Sequence, residues 1–314
     1  MPVSITELEK EMTSPNRPMS LAGVFPPIPT PFTSEGRVDE ANLLANVKRW
    51  NSQPLSGYVV GGSNGEYVLL TTDERVEMVT ILRESVSSTR RLIAGSGMEG
   101  TAATIDLTRR MARAGADAAL VITPSYYKGR MTAPVLEHHF NAVADASPIP
   151  VILYNVPANT SIDLPPQAVI NLSSHPNIIG MKESGGDVAK IGFLVHETKA
   201  EFQVLAGSAG FFLGALSVGA VGCIAALANI AATQLADLLD RFLKGDLSGA
   251  RAIQLPLIEA NTAVTARFGV PGLKAAMDLL GYYGGPVRSP LLPLPEEDRN
   301  ILQQILMRAG LLQK

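Results

Sequence analysis

Residues 150–184 read PVILYNVPANTSIDLPPQAVINLSSHPNIIGMKES. Two apolar runs flank an amphipathic stretch, and neither run alternates apolar with polar residues. That pattern suits strands buried on both faces, as in a parallel sheet. The same unit recurs in both directions. Upstream lie VFPPIPTPF from Val24, LSGYVVGGS from Leu55, RLIAGSG from Arg91 and DAALVITPSY from Asp117. Downstream lie FQVLAGSA from Phe202 and GAVGCIAAL from Gly219. Each run ends in glycine, serine or proline. Helix signals lie between them: Val38-Asp39-Glu40 before a helix running to Trp50, Thr71-Thr72-Asp73-Glu74 before Val76, Val79, Ile81 and Leu82, then Thr101 to Ala114 and Pro134 to Ala144. Eight strand–helix units in about 220 residues predict an α/β fold, a (β/α)8 TIM barrel. An open doubly wound sheet is the alternative, but no GxGxxG opens a helix after the first strand.

Beyond Asp246 no strand is expected. Helical stretches run from Leu247 to Phe268, Gly272 to Leu280 and Pro295 to Leu312, with the turn-rich joint GYYGGP at 281–286. The predicted organisation is a flexible arm over 1–20, a barrel over 21–245 that carries the active site, and a C-terminal helical region over 246–314.

The 314 residues are 46% hydrophobic and 18% charged, enough apolar material for one large core. The net charge of −3 carries no block of like charges, so no nucleic-acid footprint is read. The longest apolar candidate, Gly219 to Ile230, falls short of the roughly 20 residues that span a bilayer. The first 18 residues, MPVSITELEKEMTSPNRP, have no apolar core and carry three glutamates, unlike a secretory signal or an arginine-rich transit peptide. The expected address is cytoplasmic, or the mitochondrial matrix if this arm remains from a longer precursor. A single cysteine, Cys223, excludes an intramolecular disulfide and lies in an apolar strand, where an inert core thiol is expected.

Reacting groups of a (β/α)8 barrel sit at the C-terminal ends of its strands. There the sequence places Gly62-Ser63-Asn64-Gly65-Glu66, Thr123-Pro124-Ser125-Tyr126-Tyr127, Tyr154-Asn155-Val156-Pro157, Met181-Lys182-Glu183-Ser184 and Gly207-Ser208. A lysine after a core strand snorkels, pairs with a neighbour, or sits in the barrel mouth as a nucleophilic amine suited to imine formation. For Lys182 both readings stand at this point. Tyr154 is either a proton shuttle or a half-buried phenol. The Ser63-Asn64 turn can bind a carboxylate through backbone N–H groups, or can simply be a turn. Glu66 reads as a cap or structural partner. His138-His139 has no metal ligand at suitable spacing and is expected on a helix surface; His175 and His196 stand alone. No metal site is expected, and there is no GxSxG elbow or Walker A sequence.

At these residues the chain resembles the dihydrodipicolinate synthase/N-acetylneuraminate lyase family of pyruvate-dependent class I aldolases. The likeness runs from about Gly23 to the C-terminus through the GSNGE turn, TPSYYKG, YNVP, the strand ending in Lys182, AGS and ANI. Within the family the nearest likeness is to the 4-hydroxy-2-oxoglutarate aldolases, on stretches such as AGSGMEGT, HPNIIGMKESGGD and RFGVPGLK. Animal mitochondrial members are similar, but no matching transit peptide carries their address over.

The resemblance implies a Schiff base on Lys182, formed with the substrate itself and needing no cofactor. It implies Tyr154 as proton shuttle, Ser63 as hydroxyl relay, and Ser63 and Asn64 N–H groups as the carboxylate holder. Tyr127 would complete the relay across a subunit interface of a homotetramer, a dimer of dimers. Gly207 and Ile224 would line the pocket, with Ser184 near the second carboxylate or leaving aldehyde. Family synthases carry an arginine two residues after YNVP; here that position is Asn159, which cannot offer a cationic fork to aspartate semialdehyde. Lysine-inhibited synthases carry histidines where this chain has Thr72 and Arg75, which puts lysine feedback in doubt. The expected reaction is cleavage of 4-hydroxy-2-oxoglutarate to pyruvate and glyoxylate. The rivals are dihydrodipicolinate synthesis, a 2-keto-3-deoxy sugar acid aldolase, and a catalytically dead pyruvate-binding homologue.

Overall fold

Eight short strands form one parallel sheet in a computed structural model that describes residues 19–313. They are β1 (Gly23–Phe25), β2 (Gly57–Val60), β3 (Arg91–Gly95), β4 (Ala118–Ile122), β5 (Val151–Asn155), β6 (Ile178–Glu183), β7 (Gln203–Ala206) and β8 (Gly222–Ile224). Seven parallel ladders join them in the order β1-β8-β7-β6-β5-β4-β3-β2. The seam between β1 and β2 is closed by a parallel bridge, Pro27 to Val59, with Val59 donating to the Pro26 carbonyl at 3.0 Å and Ile28 to the Val59 carbonyl at 2.9 Å. The sheet is therefore a (β/α)8 barrel, as the run pattern predicts. β1 is only three residues long because Pro26 and Pro27 have no N–H to give to a ladder. The predicted arm lies almost wholly outside the described residues.

The uninterrupted apolar runs are explained by two separate cores. Phe25, Val59, Ile93, Leu120, Ile152, Leu205 and Ile224 fill the barrel interior. Their neighbours Val24, Tyr58, Leu92, Val121, Leu153, Val204 and Cys223 face outward beneath the helices. In β6 this alternation is interrupted. Val151 pairs with Ile178, but Ile152 pairs with Gly180, so Ile179 is an extra residue. This bulge resets the phase of β6 and brings Gly180 and Lys182 opposite Ile152 and Tyr154. Gly180 is required there, since a Cβ would lie 2.3 Å from the Gln203 carbonyl oxygen.

The helix Thr72–Ser85 begins with the full capping box, Thr71 with Glu74. The helix Ala133–Ala146 corrects one expectation. His138 is exposed, but His139 is buried beside Leu136, Phe140 and Val143, because those positions share one helical face. Its Nδ1 lies 2.9 Å from Thr101 Oγ1, and burial pushes its pKa down to about 4. Among the described residues no three His, Cys, Asp or Glu side chains cluster as metal ligands. No helix of these residues is long and apolar enough to cross a membrane.

After the barrel come helices Leu247–Thr262, Gly269–Leu279 and Glu296–Arg308. The first passes into a π turn over Ala263–Arg267 instead of continuing as α-helix to Phe268. The second begins three residues earlier than the sequence suggests. Pro271 falls in its first turn, where a missing N–H costs nothing. The GYYGGP joint docks on the first barrel helix, Glu40–Trp50: Tyr282 stacks on Trp50 at 5.7 Å, and Asn46 bonds both backbone groups of Tyr283 at 2.8 Å.

Candidate active site

Tyr154 and Lys182 are register partners on adjacent strands, β5 and β6. Both face the barrel mouth and each is 4% exposed. Lys182 Nζ lies 4.1 Å from the centre of the Tyr154 ring, and among the described residues it forms no ion pair. The bland reading of a lysine salted to a neighbour is thereby removed. Tyr154 presents its hydroxyl to Ser63 Oγ at 3.2 Å, across the mouth from the turn after β2.

That turn is a short 3₁₀ segment, Ser63–Gly65. The bonds that close it come from the Gly65 N–H to Gly62 and the Glu66 N–H to Ser63, at 2.9 and 3.1 Å, so the N–H groups of Ser63 and Asn64 are not spent on it. Glu66 then adopts a left-handed backbone, φ 56°, which is costly for a non-glycine residue. Its buried carboxylate compensates: Oε1 pairs with Lys274 Nζ at 2.6 Å, and Oε2 accepts from the Arg288 N–H at 2.8 Å. Glu66 is thus a structural partner, as expected, and it couples the C-terminal region to the turn after β2.

On the other side of the mouth, Ser184 follows β6 and Gly207 follows β7. A Cβ on Gly207 would lie 1.9 Å from Ser184 Oγ, so the glycine makes room for that hydroxyl. Ser184 Oγ is buried and has no hydrogen-bond partner among the described residues. Ile224 belongs to the apolar floor of the interior. Asn159 is exposed on the short helix Pro157–Thr160. Tyr127 is not gathered into this site: it is 70% exposed and packs edge-on to Tyr126 at 5.1 Å. Cys223 points away from the mouth, and burial pushes its thiol pKa up, as an inert core thiol requires.

The sequence reading missed the supports behind Tyr154 and Lys182. Asn155 and Glu183, the next register partners, form a buried polar knot. Asn155 Nδ2 donates to both Glu183 oxygens at 3.1 and 2.9 Å and to Asp163 at 2.7 Å. Lys190 Nζ binds Glu183 Oε2 at 3.1 Å and Asp163 at 2.5 Å. The knot ties the loop after β5 to the loop after β6 and fixes the strand ends that carry Tyr154 and Lys182. The only available signal was their adjacency to the candidate residues. Arg75 was also underread. It shares an inward helical face with Met78, Val79 and Leu82, a spacing that was legible.

A model of the dihydrodipicolinate synthetase family matches residues 20–309. The chain belongs to this family. The family's members are pyruvate-dependent class I aldolases, lyases that work through a lysine Schiff base without metal or other cofactor. Among relatives, a 4-hydroxy-tetrahydrodipicolinate synthase of Methanothrix thermoacetophila is 36% identical over 287 residues, 91% of this chain and 96% of that one. One of Haloarcula marismortui is 37% identical over 285 residues, covering 90% and 92%. A dihydrodipicolinate synthase structure from Bacillus anthracis superposes with a TM-score of 0.89 at 30% identity, covering 92% and 98%. The Escherichia coli prophage protein YagE, a family member solved with pyruvate, gives 0.87 at 30%, covering 93% and 99%. These relatives support the family and not the finer likeness to 4-hydroxy-2-oxoglutarate aldolases; three of the four carry the name of a synthase.

Proposed function

We propose that Lys182 is the Schiff-base lysine and that pyruvate is the substrate half it holds. The observation that carries this is the 4.1 Å approach of a buried amine, unpaired among the described residues, to a tyrosine whose hydroxyl meets Ser63 at 3.2 Å. The amine attacks C2 of the oxo acid, and loss of water leaves an iminium ion. That ion is the electron sink, so a C3 proton can leave to give an enamine. Tyr154 and Ser63 move the protons, while the Ser63 and Asn64 N–H groups hold the carboxylate.

The names of the relatives favour condensation of this enamine with aspartate semialdehyde, and they support that reading better than cleavage of 4-hydroxy-2-oxoglutarate. The enamine C3 attacks the aldehyde carbon; the semialdehyde's amine then displaces Lys182 and closes the ring. Asn159 keeps cleavage as the second reading, because it gives the second substrate no cationic fork. There the C3–C4 bond breaks, glyoxylate leaves, and the same enamine is protonated and hydrolysed to pyruvate. Ser184 and Gly207 face the part of the pocket where the two substrates differ.

Borohydride added with pyruvate should fix a stable adduct on Lys182, read by peptide mass. A Lys182→Ala protein with unimpaired turnover would end the proposal. A parallel assay with aspartate semialdehyde, 4-hydroxy-2-oxoglutarate and 2-keto-3-deoxy sugar acids decides the aldehyde half. An adduct without turnover on any of them would identify a dead homologue.

We further propose that Tyr127 acts in a partner's site within a tetramer. Its exposure beside Tyr126 supports this, at 70% and 76%. The proposed address is cytoplasmic. The relatives named come from archaea and bacteria and lend the mitochondrial matrix no support.

A further inference from the structure

Lys274 lies on the C-terminal helix Gly269–Leu279 and is 1% exposed. Its Nζ pairs with the Glu66 carboxylate at 2.6 Å and donates to the Pro286 carbonyl at 2.7 Å, with the Phe32 ring centre 4.4 Å away. A buried ion pair is by itself weak evidence for stability, because desolvation of both ions offsets much of their attraction. The informative point is where the carboxylate comes from.

Glu66 joins two 3₁₀ segments, Ser63–Gly65 and Tyr67–Leu69. Its N–H closes the first by donating to the Ser63 carbonyl at 3.1 Å, and its carbonyl closes the second by accepting from the Leu69 N–H at 2.8 Å. Glu66 makes both bonds from a left-handed backbone, which a non-glycine residue keeps only when its surroundings hold it there. Those surroundings are largely the C-terminal region. Lys274 and the Arg288 N–H take one carboxylate oxygen each, and Arg288 Nη1 donates to the Leu69 carbonyl at 2.9 Å. The segment after β1 adds Thr30, whose buried hydroxyl donates to the Gly65 carbonyl at 2.6 Å.

The turn is thus clamped at Gly65, Glu66 and Leu69, while its leading residues Ser63 and Asn64 stay half-buried. A continuous chain of contacts runs from Lys274 through Glu66 and Ser63 to Tyr154 and Lys182.

We infer that Lys274 is a positioning residue for the reaction. Its ammonium holds Glu66 in the left-handed conformation, and so aims the Ser63 and Asn64 N–H groups at the substrate carboxylate and the Ser63 hydroxyl at Tyr154. The inference rests on the proposal that this turn holds the carboxylate. Without the ammonium, Glu66 keeps a buried charge that only leaving its place can relieve, and its backbone then relaxes with the turn.

The test measures borohydride trapping on Lys182 of the full chain against pyruvate concentration. In Lys274→Met, half-saturation should rise about ten-fold, within the roughly 10²-fold that a small misplacement of a positioning group can cost, while trapping at saturating pyruvate stays near wild type. Adding Glu66→Gln removes the unpaired charge and returns stability, but half-saturation should stay raised. A structural role alone lowers the folded fraction, which reduces the amount trapped and leaves half-saturation unmoved. Wild-type half-saturation in Lys274→Met, or its return in the double variant, overturns the inference. If Lys274→Met does not fold, the double variant decides alone.

Ser63→Pro, compared with Ser63→Ala, checks the reading beneath. Gly62 is extended, φ −85° and ψ −176°, and Ser63 opens its 3₁₀ segment, so proline fits there and removes one N–H. Half-saturation raised in Ser63→Pro but in neither Lys274 variant sinks the inference and keeps the reading. No rise in Ser63→Pro over Ser63→Ala sinks the reading and the inference with it.

Discussion

Lys182 Nζ rests 4.1 Å from the ring centre of Tyr154, while the hydroxyl of the same tyrosine reaches Ser63 Oγ at 3.2 Å. One side chain therefore meets the Lys182 amine with its face and the Ser63 hydroxyl with its tip. Tyr154→Phe keeps the face and removes the tip. Borohydride trapping of pyruvate on Lys182 should survive in that variant, while turnover falls by about 10²–10⁴. Equal loss of trapping and turnover would assign the phenol to binding instead.

Ser63→Ala removes one hydroxyl from the proposed relay and leaves the backbone of its turn intact. Turnover should fall by roughly a hundred-fold, the low end of what a positioned proton carrier contributes, with KM for pyruvate little changed. A large rise in KM alone would give Ser63 a purely binding role.

The strained Glu66 backbone depends on its buried pair with Lys274. Lys274→Met leaves a buried carboxylate without its cation, which should cost about 3–5 kcal/mol of stability. Adding Glu66→Gln should recover part of that loss in urea unfolding. If the double variant is no more stable than Lys274→Met, the pair does not account for the cost.

Glu74 gives a pH-dependent signature. The Arg288 side chain, donating to both of its oxygens at 2.9 and 2.7 Å, is the main reason its pKa is held down at about 2 from 4.5. A carboxyl lowered on folding contributes stability that is complete above its unfolded value and lost as pH falls through the folded one. The wild type should exceed Glu74→Gln by on the order of 1–2 kcal/mol at pH 7, after allowance for partial exposure, and the difference should vanish between about pH 4.5 and 2. A gap that stays constant over that window would contradict the ion pair.

The bulge at Ile179 also makes a prediction. Gly180→Ala drives a methyl to 2.3 Å from the Gln203 carbonyl oxygen. The β6–β7 ladder must shift, with a loss of about 2 kcal/mol or more and weaker trapping at Lys182. A variant of wild-type stability and full trapping would show that the ladder tolerates the change.

Sequence by itself determined the barrel, since eight uninterrupted apolar runs separated by capped helices fit strands buried on both faces. It also placed Lys182, Tyr154, Ser63 and Asn64 at strand ends, because the hydropathy of a run marks where the strand stops. Only the tertiary structure decided which of these meet. The phase of Lys182 depends on a bulge, a pairing property of two strands that no single run encodes. His139 joined the core because its neighbours on the helix packed inward. Tyr127 lies outside its own chain's site because the loop after β4 turns outward. Arg75 reads locally as one more arginine on a capped helix. That no carboxylate pairs with it among the described residues is visible only when every neighbouring element is in place, because an ion pair is a relation between distant segments.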